Sequence, residues 1–157
     1  MSDNYLIVVG VDGSGGGRRA LEWAVREAAN RGGTVQAVAS WRWDGIESDF
    51  VTVGTAAQER NRTVQMLDRE IGELTRAVAA PVPVASEVVE GRAAEVLAAA
   101  ARDADLLVLG SHGHSRFRHT VLGSVSEECV RKATCPVVVI PVPVPARSAA
   151  AEPALRG

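Results

Sequence analysis

The chain has 157 residues, the size of one globular domain, and its 46% hydrophobic and 23% charged residues are ordinary proportions for a folded domain. A formal net charge of −2 excludes the strongly basic surface that binds nucleic acid or an anionic membrane. No apolar run reaches the roughly 18 residues that would span a bilayer. We therefore expect one domain with no nucleic-acid or membrane partner.

Five apolar runs predict the strands of a sheet. Continuous stretches such as LIVV, LLVL and VVVI are typical of strands that are covered on both faces. The third run is weaker, and Pro81 and Pro83 mark its entry rather than its centre. The predicted strands lie at 5–11, 34–40, 82–89, 105–110 and 136–142.

Helical periodicity occupies the stretches between these runs. The first predicted helix carries one apolar stripe and ends at the Gly32-Gly33 pair. The second spans about 55–79, where apolar residues recur at alternating spacings of three and four. The third covers about 92–102, and the fourth begins near Ser124. The inward face of the fourth helix is predicted to carry Val125, Cys129, Val130 and Ala133.

Strands that alternate with helices predict an α/β fold, with a parallel sheet covered by helices on both faces. In such sheets ligands bind beyond the carboxyl ends of the strands, where the winding direction changes. The loops after the first and fourth strands are the two richest in glycine, and they are the candidate binding region. We expect the domain to cover 1–142, with a polar connector at 42–54. The proline- and alanine-rich residues 143–157 are expected to form a disordered tail.

The N-terminal residues and the cysteines favour a cytoplasmic protein. The first apolar run is interrupted by Gly10 and Asp12 and follows no basic segment, so it predicts a strand and not a secretion signal. Cys129 and Cys135 are poorly placed to pair if both lie on or beside one helix. We expect free thiols in a reducing compartment rather than part of a zinc site.

The loop after the first strand, VDGSGGGRR, contains a carboxylate at a predicted strand end. It fits neither a dinucleotide-binding glycine pattern nor a Walker loop. Its SGGG portion resembles the loop of ATP pyrophosphatases, but Arg18 and Arg19 stand where that loop has an Asp-Ser pair. Asp12 is able to accept hydrogen bonds from ribose hydroxyls or to hold a metal. The alternative is that Asp12 or Ser14 caps the following helix, and the sequence favours neither interpretation.

The stretch GSHGHSRFRHTVLGS, residues 110–124, allows two interpretations. His112 and His114 are separated by one residue, which suggests a metal site. Such a site usually needs three or four ligands, and the only other histidine, His119, is five residues further on, so we do not expect one. Ser111 beside His112 lacks the strand-turn-helix elbow of a catalytic serine. We therefore predict no catalytic residue here, and favour a cradle for phosphates.

The glycines of this stretch are spaced for such a cradle. Gly110 ends the fourth strand, where the absence of a Cβ permits close approach of the backbone to a ligand. Gly113 allows the chain to turn over that ligand, and the pair Gly123-Ser124 opens the fourth helix. The combination at a carboxyl strand end therefore predicts a phosphate site.

The first turn of the fourth helix adds to this prediction. Ser124 and Glu127 have the S-x-x-E spacing of a capping box. The free N–H groups of the turn favour an anion, and the Ser126 hydroxyl is able to add a hydrogen bond. Arg116 and Arg118 either screen the remaining negative charge or face a partner.

The pattern Gly110-x2-Gly113-x9-Gly123-Ser124 is similar to the ATP-binding signature of the universal stress protein family. The similarity also covers LIVVGVDGS, VVEGRAAEVLAAAARDADLLVLGSHGHS and CPVVVIP, and so nearly the whole chain. It implies a Rossmann-like, open five-stranded parallel sheet in the order 3-2-1-4-5. The chain departs from many relatives in carrying Ser115, Arg116 and Arg118 where they have glycines.

The resemblance also implies a ligand and an assembly. The ligand is ATP, with any Mg²⁺ bound through the phosphates. Adenine lies near the ends of the first two strands, ribose beside the strand aspartate, and phosphates on the glycine loop. The family commonly forms homodimers through its last strand, and the apolar edge CPVVVIP favours the same assembly. The implied nucleotide-binding residues are Val11, Asp12, Ser14, Ser40, Gly110, Gly113, His114, Gly123, Ser124, Val125 and Ser126.

The sequence thus predicts an ATP-binding regulatory protein of the stress response. Any ATP hydrolysis is expected to be slow, because the loop offers no obvious base, lysine or second carboxylate. One alternative is an ATP-consuming pyrophosphatase or transferase of related architecture. Another is a protein-interaction module that does not bind nucleotide.

Overall fold

The computed structural model describes residues 4–42, 54–79, 81–113 and 122–143 of the chain. Strands and helices alternate through these ranges, as predicted from the sequence. The elements are β1 (Leu6–Gly10), α1 (Gly15–Arg31), β2 (Thr34–Trp41), α2 (Ala56–Ala77), β3 (Val84–Glu90), α3 (Ala93–Ala100), β4 (Leu106–Gly110), α4 (Ser124–Lys132) and β5 (Val137–Ile140).

Some sequence predictions fall on residues outside these ranges. They concern most of the connector at 42–54 and of the tail at 143–157. Four predicted loop residues also lie there: His114, Arg116, Arg118 and His119.

The five strands form one parallel sheet in the order β3-β2-β1-β4-β5, which confirms the predicted fold class and strand order. The order reverses direction at β1, because β2 and β3 lie on one side of it and β4 and β5 on the other. The carboxyl ends of β1 and β4 are adjacent, since Val9 pairs with Val108. The fold therefore brings the loops after these two strands together, at the position where such sheets bind ligands.

Local signals fix the ends of the first two helices. The Ser14 side chain caps α1 by accepting a hydrogen bond from the Gly17 N–H. Gly32, with φ 67°, ends the same helix in the left-handed conformation, as the Gly32-Gly33 pair predicts. A reciprocal capping box between Thr55 and Gln58 begins α2.

Two apolar layers cover the faces of the sheet. Ile7, Val9 and Val35 point toward α1 and α2, whereas Val8 and Leu107 point toward α3 and α4. Alternate residues of β1 enter different layers because successive side chains of a strand point to opposite faces. The central strands are therefore buried on both sides, which explains their continuous apolar sequence.

The inward face predicted for α4 is partly wrong. Cys129 is fully buried, but Val125 and Val130 are 39% and 48% exposed. Because α4 has only 9 residues and packs mainly against α3, only a narrow stripe of its surface is buried.

The thiols of Cys129 and Cys135 are free, as predicted, and burial raises the pKa of Cys129 to about 11.

Candidate functional site

A cavity of about 210 Å³ opens at the carboxyl ends of β1, β2 and β4. Every predicted nucleotide-binding residue within the described ranges contributes to its wall. These residues come from four separate parts of the chain, which the reversal of strand order brings together. They are Val11, Asp12, Ser14, Ser40, Gly110, Gly113, Gly123, Ser124, Val125 and Ser126.

One side of the cavity is the loop that joins β1 to α1. The Asp12 carboxylate accepts hydrogen bonds through Oδ1 from the backbone N–H of Ser14, at 2.9 Å, and from its hydroxyl. Ser14 in turn accepts from the Gly17 N–H at 3.1 Å. Asp12 therefore supports the cap of α1, while its side chain stays at the exposed mouth of the cavity. In this geometry Asp12 is able both to support the helix cap and to face a ligand, the two roles that the sequence left open.

Glycines allow the two loops to touch. A Cβ on Gly110 would lie 2.8 Å from the backbone of Gly16 in α1. A Cβ on Gly113 would collide with Oδ2 of Asp12, and one on Gly16 with the carbonyl of His112. The close approach predicted for Gly110 is thus made to the first turn of α1, and the turn predicted at Gly113 passes beside Asp12.

The opposite side of the cavity is the start of α4, which hydrogen bonds hold to the end of β4. The Gly123 N–H and the Ser126 hydroxyl both donate to the carbonyl of Ser111, at 2.6 and 2.8 Å. This arrangement fixes the first turn of α4 relative to the sheet. In this arrangement the proton of the Ser126 hydroxyl is donated to the Ser111 carbonyl.

The predicted capping box at Ser124 is not what the structure shows. The N-cap residue of α4 is Gly123, and no side chain makes a capping hydrogen bond there. Because Gly123 has no side chain to offer, the first N–H groups of α4 are left for another acceptor. The absence of a side-chain cap makes this turn a better anion site than the sequence pattern indicated.

His112 lines the cavity, although it was not among the predicted nucleotide-binding residues. It is buried, and its Nδ1 lies 3.0 Å from the hydroxyl of Ser111. Its position directly after the end of β4, within the glycine spacing, was the available signal. Asp12 and His112 are the titratable side chains among the described wall residues.

The deeper wall of the cavity is apolar. Val38 comes from β2, Leu109 from β4, and Ala93 and Leu97 from α3. The site therefore combines an apolar surface of the kind that contacts a flat ring with backbone donors and a carboxylate at its mouth. Such a combination is typical of small-molecule sites.

The sequence model of the universal stress protein family matches residues 6–141. The chain belongs to this family. It is 31% identical over 137 residues to universal stress protein Rv2624c of Mycobacterium tuberculosis, covering 85% of this chain and 47% of the relative. The chain thus spans about half the length of the curated relatives that it matches.

Solved universal stress proteins share the fold. One, crystallised in complex with cAMP, is 25% identical with a TM-score of 0.67, over 88% of this chain and 98% of that one. Another, from Archaeoglobus fulgidus in complex with dAMP, is also 25% identical, with a TM-score of 0.54 over 87% and 97%. Each of these structures therefore matches most of this chain and nearly all of its own length.

The described part of this universal stress protein holds neither a membrane-spanning helix nor a cluster of metal ligands. None of the described helices is long and apolar enough to cross a membrane. Within the same ranges, no group of three His, Cys, Asp or Glu side chains is placed to hold a metal ion. Two of the three histidines, His114 and His119, lie outside the described residues.

Proposed function

We propose that this universal stress protein binds an adenine nucleotide, ATP, in the cavity at the ends of β1, β2 and β4. The observation that carries the proposal is the convergence on one cavity of all the predicted binding residues that the structure describes. The two related structures named above, in complex with cAMP and dAMP, support an adenine nucleotide as the ligand class.

The proposed pose follows from the chemistry of the walls. Adenine packs on the apolar side near Val38 and Leu97, and the backbone at Ser40 reads its edge. The ribose lies beside Asp12. The phosphates accept hydrogen bonds from the uncapped N–H groups of Ser124 and Val125, where the helix dipole also favours negative charge.

In this pose Mg²⁺ binds through the phosphates. Asp12 is the only carboxylate in the described wall of the cavity, and one of its oxygens already accepts two hydrogen bonds from Ser14. One carboxylate does not form an all-protein Mg²⁺ site. It does fit the usual arrangement, in which one or two carboxylates act together with substrate phosphates and water.

We infer a regulatory role in the cytoplasm, in the response to stress, rather than rapid turnover. A regulator needs only that ATP binding changes the conformation or the partner choice of the protein. Rapid hydrolysis needs groups that position water and stabilise the charge developing on the phosphates. His114, Arg116 and Arg118, which belong to the predicted loop, remain proposed contacts to the phosphates or to a partner.

We also propose a homodimer through β5. This strand lies at one edge of the sheet, and all its residues, Val137–Ile140, are apolar and half-buried. The other edge strand, β3, exposes Ala85, Ser86 and Glu87 instead. An apolar edge strand favours pairing with a second copy, whereas a polar, charged one opposes it.

Equilibrium dialysis with labelled ATP tests the proposed site. In Gly113→Ala the new methyl group displaces the Asp12 carboxylate, and in Gly123→Val the added Cβ lies 3.0 Å from the Ser111 carbonyl. We expect each variant to weaken ATP binding at least about tenfold, or ~1.4 kcal/mol. The matched control is Gly72→Ala in α2, where an added Cβ meets nothing within 4 Å.

Equal retention of ATP by the wild type and both loop variants would exclude the assigned site. Steady release of pyrophosphate or AMP during the same incubation would favour the enzyme alternative. No retention by the wild type would favour an interaction module that does not bind nucleotide.

A further inference from the structure

A buried carboxylate on α2 is paired with an arginine at the start of α1. Glu70 is only 2% exposed, whereas the Arg18 side chain is 58% exposed. The guanidinium donates two hydrogen bonds to the carboxylate, from Nε to Oε2 and from Nη2 to Oε1, each at 2.9 Å. Such a bidentate pair fixes the relative orientation of both side chains.

Arg18 belongs to the turn that carries the proposed ribose end of the nucleotide site. Its backbone N–H donates to the Ser14 carbonyl at 3.0 Å. Ser14 is the N-cap of α1 and the hydrogen-bond partner of Asp12. A path of direct contacts therefore runs from Glu70 through Arg18 and Ser14 to the carboxylate at the mouth of the cavity.

A second contact between α2 and the same loop is made by Met66. Gly13 has φ 82°, a conformation that favours glycine, and a Cβ built on it would lie 3.2 Å from Cγ of Met66. Met66 thus contacts the β1–α1 loop from a position one helical turn before Glu70. None of the described residues of α2 itself lines the cavity.

We propose that Glu70 is a positioning residue for the nucleotide site, and that it couples ATP binding to the docking of α2 on α1. This inference rests on the proposed function. Without the carboxylate, Arg18 loses its bidentate partner, and the turn from Asp12 to Gly17 samples arrangements that do not hold the ribose. The fraction of molecules competent to bind falls, which weakens the observed affinity.

The coupling acts in both directions, because an effect of one event on another is thermodynamically reciprocal. ATP that stabilises the β1–α1 loop must also stabilise the packing of α2 against it. ATP binding is thereby able to change the position of α2, whose outer, charged face lies away from the nucleotide.

Two measurements test the proposal. Calorimetric titration with ATP compares the wild type with Glu70→Gln, which keeps the shape of the side chain but loses its charge. We expect at least about fivefold weaker binding, the lower end of typical coupling between sites. The control is Asp68→Asn, which removes the charge of an exposed carboxylate on the same helix and should bind ATP within about twofold of the wild type.

Hydrogen exchange of the wild type is the second measurement and needs no variant. Saturating ATP should slow exchange of the α2 amides from Thr63 to Ile71 as well as those of the cavity wall. Unchanged affinity in Glu70→Gln, or protection of the wall without protection of α2, would overturn the coupling and leave the proposed function intact. Absence of ATP binding by the wild type would overturn the proposed function, and this inference with it.

Discussion

Ser14 serves the fold and the candidate site with one side chain. Its hydroxyl accepts from the Gly17 N–H and donates to Asp12, so that it both begins α1 and holds the carboxylate at the cavity mouth. The sequence identified Asp12 and Ser14 as capping or binding residues. It could not show that they form one network, because the hydrogen bonds depend on the exact turn of the β1–α1 loop.

Ser14→Ala separates these two effects when it is compared with Thr55→Ala. Each substitution removes the side-chain cap of a helix, and we expect each to lower the free energy of unfolding by about 1 kcal/mol in urea titrations. Only Ser14→Ala removes the hydroxyl that donates to the Asp12 carboxylate, so only this variant should also bind ATP more weakly. Equal ATP affinities in the two variants would show that the network has no role in binding.

His112 was not among the predicted binding residues, and it shows the limit of assigning a role from the residue type alone. Two histidines separated by one residue suggest a metal site, and the sequence offers no clear third ligand for it. The structure buries His112 beside Ser111, in the wall of the cavity. Its glycine-rich surroundings, rather than the second histidine, were the informative signal.

At the scale of elements, the helices were predicted well in position and less well in orientation. The spacing of Val64, Leu67, Ile71 and Leu74 predicts the helix that became α2, and Leu67, Ile71 and Leu74 do lie in or against the core. The helix also buries the polar residues Thr63 and Glu70. A buried glutamate is not predictable from local spacing, since burial of a charge requires a partner. That partner, Arg18, lies 52 positions away in the sequence.

The pairing of α1 with α2 predicts how stability depends on pH. The Arg18 hydrogen bonds hold the pKa of Glu70 below its usual value, against the opposing effect of burial, and the charge of Arg69 acts in the same direction as Arg18. A lowered folded-state pKa contributes stability that is complete above the unfolded pKa, about 4.3, and lost as the pH falls through the folded value. Wild-type stability relative to Glu70→Gln should therefore decrease on acidification below about pH 4.5.

Arg18→Met should reverse this trend. It leaves the Glu70 carboxylate buried without its partner, so that burial dominates and raises the pKa of Glu70. A raised folded-state pKa penalises the fold at neutral pH, and the penalty disappears as protonation removes the charge. Urea unfolding between pH 7 and pH 3.5 should show the deficit of Arg18→Met shrinking as the pH falls. A deficit independent of pH would mean that Glu70 gains another partner.

At the scale of the whole molecule, the parallel sheet was predictable because each strand and helix carries its own periodicity. The strand order was available from the family resemblance, since nothing in the periodicity says which strands are neighbours. The reversal at β1 creates the cavity, and it also leaves β3 and β5 as the edges of the sheet. The polar edge and the apolar edge then come from two distant segments of the chain, Val84–Glu90 and Val137–Ile140.

The proposed dimer leads to a prediction that depends on which residues of β5 face outward. The carbonyls of Pro136 and Ile140 accept hydrogen bonds from β4, at 3.0 and 2.8 Å. Since successive backbone groups of a strand alternate in direction, Val138 also faces β4, whereas Val137 and Val139 present their N–H groups to the open edge. Val139→Pro therefore removes a donor from the edge and leaves the ladder to β4 intact.

We expect Val139→Pro to be a folded monomer that still binds ATP, and the wild type to sediment as a dimer. Val138→Pro is the matched control, because it removes a hydrogen bond within the sheet and should lower the free energy of unfolding instead. Sedimentation equilibrium gives the mass, and urea titration gives the stability of each variant. If Val139→Pro sediments as the wild type does, the two copies meet through another surface, and the exposed Val130 of α4 becomes the next position to substitute.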